Sequence, residues 1–268
     1  MIYIPVDLGL PSGLLWAAEN TPAADGGSLL SFKEANTPGT DLPYQARDSR
    51  WEVPGREAFE ELRRFCTFSW DKERNGAVVT GPNGNTLLLP AAGWKLIDGT
   101  LTGERMAFYW SNITKGKDAV GFDFFLVEDN HERFIKVAFV SIQTNPECGF
   151  CLRKIRHAPF VEDIEDEGDD LRDEIAEARG HNVTYCESMD MDLVSLICDC
   201  VNDEDYIDEV LDDLRFYASN GRALPEELAE ASAEQFKEYF RKNRGAVLCA
   251  AQDVIDEYRS CDYPPENK

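Results

Sequence analysis

Trp51-Glu52-Val53-Pro54-Gly55-Arg56-Glu57-Ala58-Phe59-Glu60-Glu61-Leu62 is the stretch on which the reading of the first half turns. Pro54 and Gly55 open a helix, and Glu57 suits its positive first turn. Phe59, Leu62 and Phe65 or Cys66 then recur on one face at three- to four-residue spacing. This is the one clear helical pattern in the first 157 residues. Around it the apolar residues alternate in short runs, predicting strands near 2–8, 14–17, 77–80, 86–89, 108–110, 121–127, 134–141 and 149–155. Leu10-Pro11-Ser12-Gly13 and Gly81-Pro82-Asn83-Gly84-Asn85 punctuate the runs, with Asn83-Gly84 suited to positive φ. Residues 20–50 are rich in Gly, Pro, Thr and Asp and read mostly as loop.

Past residue 185 the period changes from 2 to 3.6. Met189, Leu193, Val194, Ile197 and Val201 form one stripe. Asn202 is placed to cap a next helix that starts at Asp203-Glu204-Asp205 and carries Ile207, Val210, Leu211, Leu214 and Tyr217, with Asn220-Gly221 stopping it. Pro225 suits the first position of a third helix bearing Leu228, Phe236, Tyr239 and Phe240, which Gly245 ends. A fourth carries Val247, Leu248, Ala251, Val254, Ile255 and Tyr258. Short connections between amphipathic helices predict a small bundle over 185–262, and residues 158–184 read as an acidic helix or linker.

Charge divides the chain at the same place. The formal net charge is -24 over 268 residues. From Pro159 onward there are 31 acidic and 10 basic residues, against 20 and 17 before it. Such a surface repels phosphate backbones and anionic membranes, which argues against nucleic-acid binding and membrane docking. It leaves a basic protein as the partner expected for the acidic helices. With 43% hydrophobic and 11% aromatic residues the chain can bury a core. No apolar run approaches 18 residues, so no membrane insertion is expected. Met1-Ile2-Tyr3-Ile4-Pro5-Val6-Asp7 lacks a basic and then apolar leader, and a cytoplasmic location with reduced thiols is the expectation.

Four stretches, in this order and spacing, resemble one family: Val6-Asp7-Leu8-Gly9-Leu10-Pro11-Ser12-Gly13-Leu14-Leu15-Trp16-Ala17, the 51–62 stretch, Val79-Thr80-Gly81-Pro82-Asn83-Gly84-Asn85-Thr86-Leu87-Leu88-Leu89-Pro90-Ala91-Ala92-Gly93, and Phe108-Tyr109-Trp110-Ser111. They look like the Fibrobacter succinogenes major paralogous domain, a family common in Bacteroidetes and related to C-type-lectin-like and formylglycine-generating-enzyme-like folds. The resemblance covers about residues 3–156. It implies an α+β, C-type-lectin-like domain over 1–157, with a helix packed on a twisted sheet and variable loops on one side. Relatives of that fold include receptor-binding and diversified proteins of phages and mobile elements. Those family members are usually exported or lipid-anchored, whereas no export signal is seen here, and the helical part resembles no known family.

The chemistry of the sugar-binding and enzymatic relatives is not visible. A Glu-Pro-Asn calcium loop is missing, and Trp110-Ser111-Asn112 lacks the acidic third residue of its partner motif. Eight cysteines occur, at 66, 148, 151, 186, 198, 200, 249 and 261. Cys148-Gly149-Phe150-Cys151 has a metal-ligand spacing but no second pair, and Cys198 and Cys200, two apart on a helix, point in different directions. Neither G-x-S-x-G nor a phosphate-binding loop is present. The expectation is a non-enzymatic module without cofactor or metal, binding a protein or glycan ligand through loops 112–118, 128–133 and 143–147 facing outward together, with the acidic helices as a docking or oligomerisation domain. The alternatives are an intracellular structural or assembly protein and a metal- or cysteine-dependent enzyme. The candidate ligand-binding residues are Asn112, Lys115, Lys117, Asp118, Asn130, His131, Arg133 and Asn145.

Overall fold

The computed structural model describes residues 4–23, 25–37, 50–103, 105–128, 133–138, 144–179 and 185–260; the side chains of 125–128, 133–138, 176–179, 185–189 and 260 are outside that description. The chain is mixed α and β and divides into two compact units, Met1–His157 and Ala158–Lys268. Among the described residues no helix is long and apolar enough to cross a membrane.

In the first unit, β1 (Pro5–Asp7), β2 (Leu14–Ala17) and β11 (Ile155–His157) form an antiparallel sheet in the order β1-β2-β11, so the two ends of the unit meet. A meander follows, β3 (Thr67–Asp71), β4 (Gly76–Thr80) and β5 (Thr86–Pro90). A ribbon of β6 (Trp94–Lys95) and β7 (Leu101–Thr102) leads to the sheet β10-β9-β8, made of β8 (Met106–Lys115), β9 (Asp118–Glu128) and β10 (Arg133–Ala138). Helix α1 (Phe32–Asn36) starts in a capping box between Ser31 and Glu34. Helix α2 (Arg56–Phe65) begins at Gly55, which supplies no side-chain cap.

Helix α2 buries Ala58, Phe59 and Leu62 against the sheets, with Phe59 stacked on Phe122 at 4.2 Å and Trp16 edge-on at 5.3 Å. The contiguous apolar run of β8 follows from burial on both faces. Ala107 and Tyr109 face the layer under α2, while Phe108 and Trp110 face a second layer with Leu30, Cys148 and Phe150. Two buried arginines brace this interior. The Arg153 guanidinium donates to Ala17 O at 3.0 Å and to Leu88 O at 2.8 Å, while Arg156 is equally hidden. The turn Gly81–Asn85 sews β4–β5 to β1, for the Asn83 and Asn85 amides both donate to Asp7 O, at 2.8 and 2.7 Å. Gly81 is required there because any Cβ would strike the Leu8 carbonyl.

The second unit is helical: α3 (Val161–Arg179), α4 (Tyr185–Asn202), α5 (Leu211–Ser219), α6 (Ala233–Lys242) and α7 (Arg244–Ser260). Helix α3 is not a tether. Val161, Ile164, Leu171 and Ile175 place one apolar stripe in the bundle core, and Gly168 lets the helix approach Val194 and Ile255 closely.

Several expectations need correction. Asn202 ends α4; Asp203 is the cap, accepting from Asp205 N, and the turn it opens is a 3-10 segment, Glu204–Asp208, ahead of α5. Pro225 likewise caps a single 3-10 turn, Glu226–Leu228, and α6 starts later in a capping box of Ser232 and Gln235. Gly245 lies in the first turn of α7 rather than ending α6. Of 149–155 only Ile155 joins a strand; Gly149 and Phe150 form isolated bridges, each exchanging two backbone bonds, with Lys95 and Leu30, and Cys151 bonds to Phe108 and Trp110. Phe65 is exposed, and Cys66 turns partly inward instead.

Candidate binding site

The outward side of α2 borders an open groove of about 820 Å3. Its floor is aliphatic: Leu14 from β2, Val53 ahead of the helix, and Ile155 from β11. These meet because β2 pairs with β11 and Glu52 exchanges two backbone hydrogen bonds with Ile155, at 2.8 and 3.0 Å. The rim carries Glu52, Glu57, Glu61, Arg64, Asn112 and His157.

Asn112 reaches the rim through an irregularity in β8. Trp110 pairs with Gly121 but Thr114 pairs with Ala119, so the β8 strand carries extra residues between them. Ser111 Oγ closes the gap by donating to Val120 O at 2.7 Å, and the Asn112 N–H donates to Pro54 O at 3.1 Å. This turns Asn112 out of the ladder toward the start of α2. Across the groove Glu61 is already engaged, accepting from Ser12 N at 2.9 Å and Ser12 Oγ at 2.6 Å.

Of the residues expected to face outward together, those that are described fall in separate places. Residues 112–118 are the end of the β8–β9 hairpin, with Lys115 paired to Asp118 and Lys117 in the turn between them. Asn145 sits beside this end, because Thr144 bridges Ala119. Arg133 pairs with Glu128 at the opposite end of β9. Eleven residues of strand separate the two ends by about 33 Å. Asn130 and His131 lie outside the described residues. Lys115, Lys117, Asp118 and Asn145 therefore form one exposed corner, Asn112 belongs to the groove, and Arg133 stands apart. The groove residues Glu52, Glu57 and His157 were legible only as parts of the framework.

The two thiols of the CxxC spacing are withdrawn from solvent. Cys148 and Cys151 are buried, and desolvation pushes the Cys151 thiol up to about 11. Among the described residues no three His, Cys, Asp or Glu side chains gather closely enough to share a metal ion. The groove offers hydrogen-bonding groups and charge over an apolar floor, an arrangement suited to holding a ligand. Comparison with protein-family models, with curated proteins and with solved structures finds no match for this chain.

Proposed function

We propose that residues 1–157 form a non-enzymatic binding module of the C-type-lectin-like kind, akin to the Fibrobacter succinogenes major paralogous domain, and that its recognition surface is the groove beside α2. The helical unit then serves as an acidic docking or oligomerisation domain for a basic protein partner. Three features support the lectin-like reading: the ends of the unit pair in one sheet, one principal helix packs on the sheets, and two apolar layers flank β8. The observation that carries the binding reading is the 820 Å3 groove with an aliphatic floor and a polar rim.

The test uses the full chain, immobilised and offered a glycan array and a displayed peptide library. Wild type is compared with Gly55→Leu, whose extended backbone accepts a side chain and whose Cβ, 3.0 Å from Glu57 Oε2, would push that flexible carboxylate aside and fill the groove. Ligands retained by wild type and lost by Gly55→Leu support the groove. Equal retention by both rejects it.

A further inference from the structure

Building on the groove as the recognition surface, we infer that its occupant is a polypeptide segment bearing a lysine or arginine. The cationic head seats at the Gly55 end, and a neighbouring aliphatic side chain lies on Leu14, Val53 and Ile155. A volume of about 820 Å3 holds several residues rather than one small ion.

The two sides of the groove differ in what they have left to offer. At the Gly55 end, Glu57 Oε2 stands 3.0 Å, and the Asn112 amide 3.6–3.8 Å, from the point a Cβ of Gly55 would occupy. A carboxylate and an amide thus face one gap that the glycine leaves open. Glu52 adds a second carboxylate on the same rim. Neither the Glu52 nor the Glu57 carboxylate has an ion-pair partner among the described residues. At the other side the groups are engaged: Glu61 holds Ser12, and the Arg64 guanidinium lies 5.1 Å from the centre of the Phe65 ring.

The Glu57 carboxylate and the Asn112 amide oxygen match the donors of an ammonium or guanidinium group, and Glu52 brings a second carboxylate to the same groove. An acidic peptide or a sulfated or sialylated sugar meets repulsion at that end, and a neutral sugar brings no charge to match it.

Fluorescence anisotropy with the full chain tests this. The probes are two dye-labelled nonapeptide pools of Gly, Ser, Leu and Val with either a central Arg or a central Glu, and a labelled neutral oligosaccharide. The double variant Glu52→Gln/Glu57→Gln is expected to weaken binding of the Arg pool at least about tenfold. Asp163→Asn/Asp166→Asn, which removes the same charge from the exposed side of α3, is expected to leave it unchanged. Equal weakening by both double variants means a diffuse field and overturns the inference. Binding of the Glu pool or the oligosaccharide that matches the Arg pool and disappears in Gly55→Leu keeps the groove but overturns the ligand class. If no probe responds to Gly55→Leu, the inference and the groove reading fall together.

Discussion

Trp110 donates its indole Nε1–H to the Leu30 carbonyl oxygen at 2.6 Å, joining residues 80 positions apart in a buried setting. Leu30 also exchanges backbone bonds with Phe150 at 2.8 and 2.9 Å, and the Phe150 ring stacks on Trp110 at 4.2 Å. Two distant segments are thereby fixed to one strand. Trp110→Phe keeps a ring on Phe150 but deletes the donor. It is expected to lower stability by about 1–3 kcal/mol from the lost bond and the smaller ring. Hydrogen exchange should quicken at the Leu30 and Phe150 amides, and an unchanged denaturation midpoint would contradict the role assigned to the indole.

Arg222 ties the second unit together in a comparable way. Its Nε and Nη2 donate to the two oxygens of Asp190 at 3.1 and 2.8 Å, and Tyr258 OH adds a third bond to the same carboxylate. Its Nη1 also reaches Glu257 at 2.8 Å, but Glu257 is largely exposed while Asp190 is mostly covered. Asp190→Asn should therefore cost about 1–3 kcal/mol, and Glu257→Gln no more than about 1 kcal/mol. Thermal melts followed at 222 nm rank the two, and a reversed order would show that the bidentate pair is not the anchor.

What could be read in advance follows from how local each decision is. The β4–β5 hairpin was legible because Val79, Leu87 and Leu89 alternate around an Asn-Gly turn that fixes its own register. The bundle stripes were legible because Leu193, Ile197, Leu214 and Ile255 repeat at helical spacing. Phe32–Asn36 was missed because its five residues are too short to show a period, and its capping box at Ser31 is the signal that could have found it. The groove was not legible. It joins residues near 12–14, 52–65, 112 and 155–157, brought together by the β2–β11 pairing and by the irregularity at 111–113. Neither has a periodic signature, and both arise from contacts across most of the first unit.

Thiol reactivity gives an independent check on the interior. Cys148, Cys151, Cys198, Cys200 and Cys249 are buried, and Cys66 is partly exposed at the end of α2. Burial and, to a lesser degree, the nearby Glu61 carboxylate push Cys66 up to about 11, and burial first of all pushes Cys198 and Cys200 up to about 12. Iodoacetamide should modify Cys66 ahead of those five, slowly at pH 7 and faster as the pH approaches 10, because the thiolate is the reacting form. Peptide mapping that finds Cys151 or Cys198 alkylated first in the folded chain would contradict the packing described.

Asp123 should give the first unit a pH dependence of unusual sign. It lies on β9 opposite Phe108 and Ala138, is 3% exposed, and its Oδ1 has no hydrogen-bond partner. Burial pushes its carboxyl up to about 7, against about 3.9 for an exposed aspartate. The folded chain thus keeps a proton that the unfolded chain releases from about pH 4 upward. Below pH 4 both states are protonated and the carboxyl costs nothing extra. Between about 4 and 7 the stability of the wild type falls as the pH rises, and above 7 the penalty is complete and flat. Asp123→Asn removes the ionisation while keeping the shape. It should match wild type near pH 4 and exceed it at pH 8 by a few kcal/mol, on the order of one kcal/mol per pKa unit. Urea denaturation of both proteins from pH 4 to 9 measures the difference. A gap that shrinks as the pH rises would mean that Asp123 is ionised and favourably paired in the folded chain.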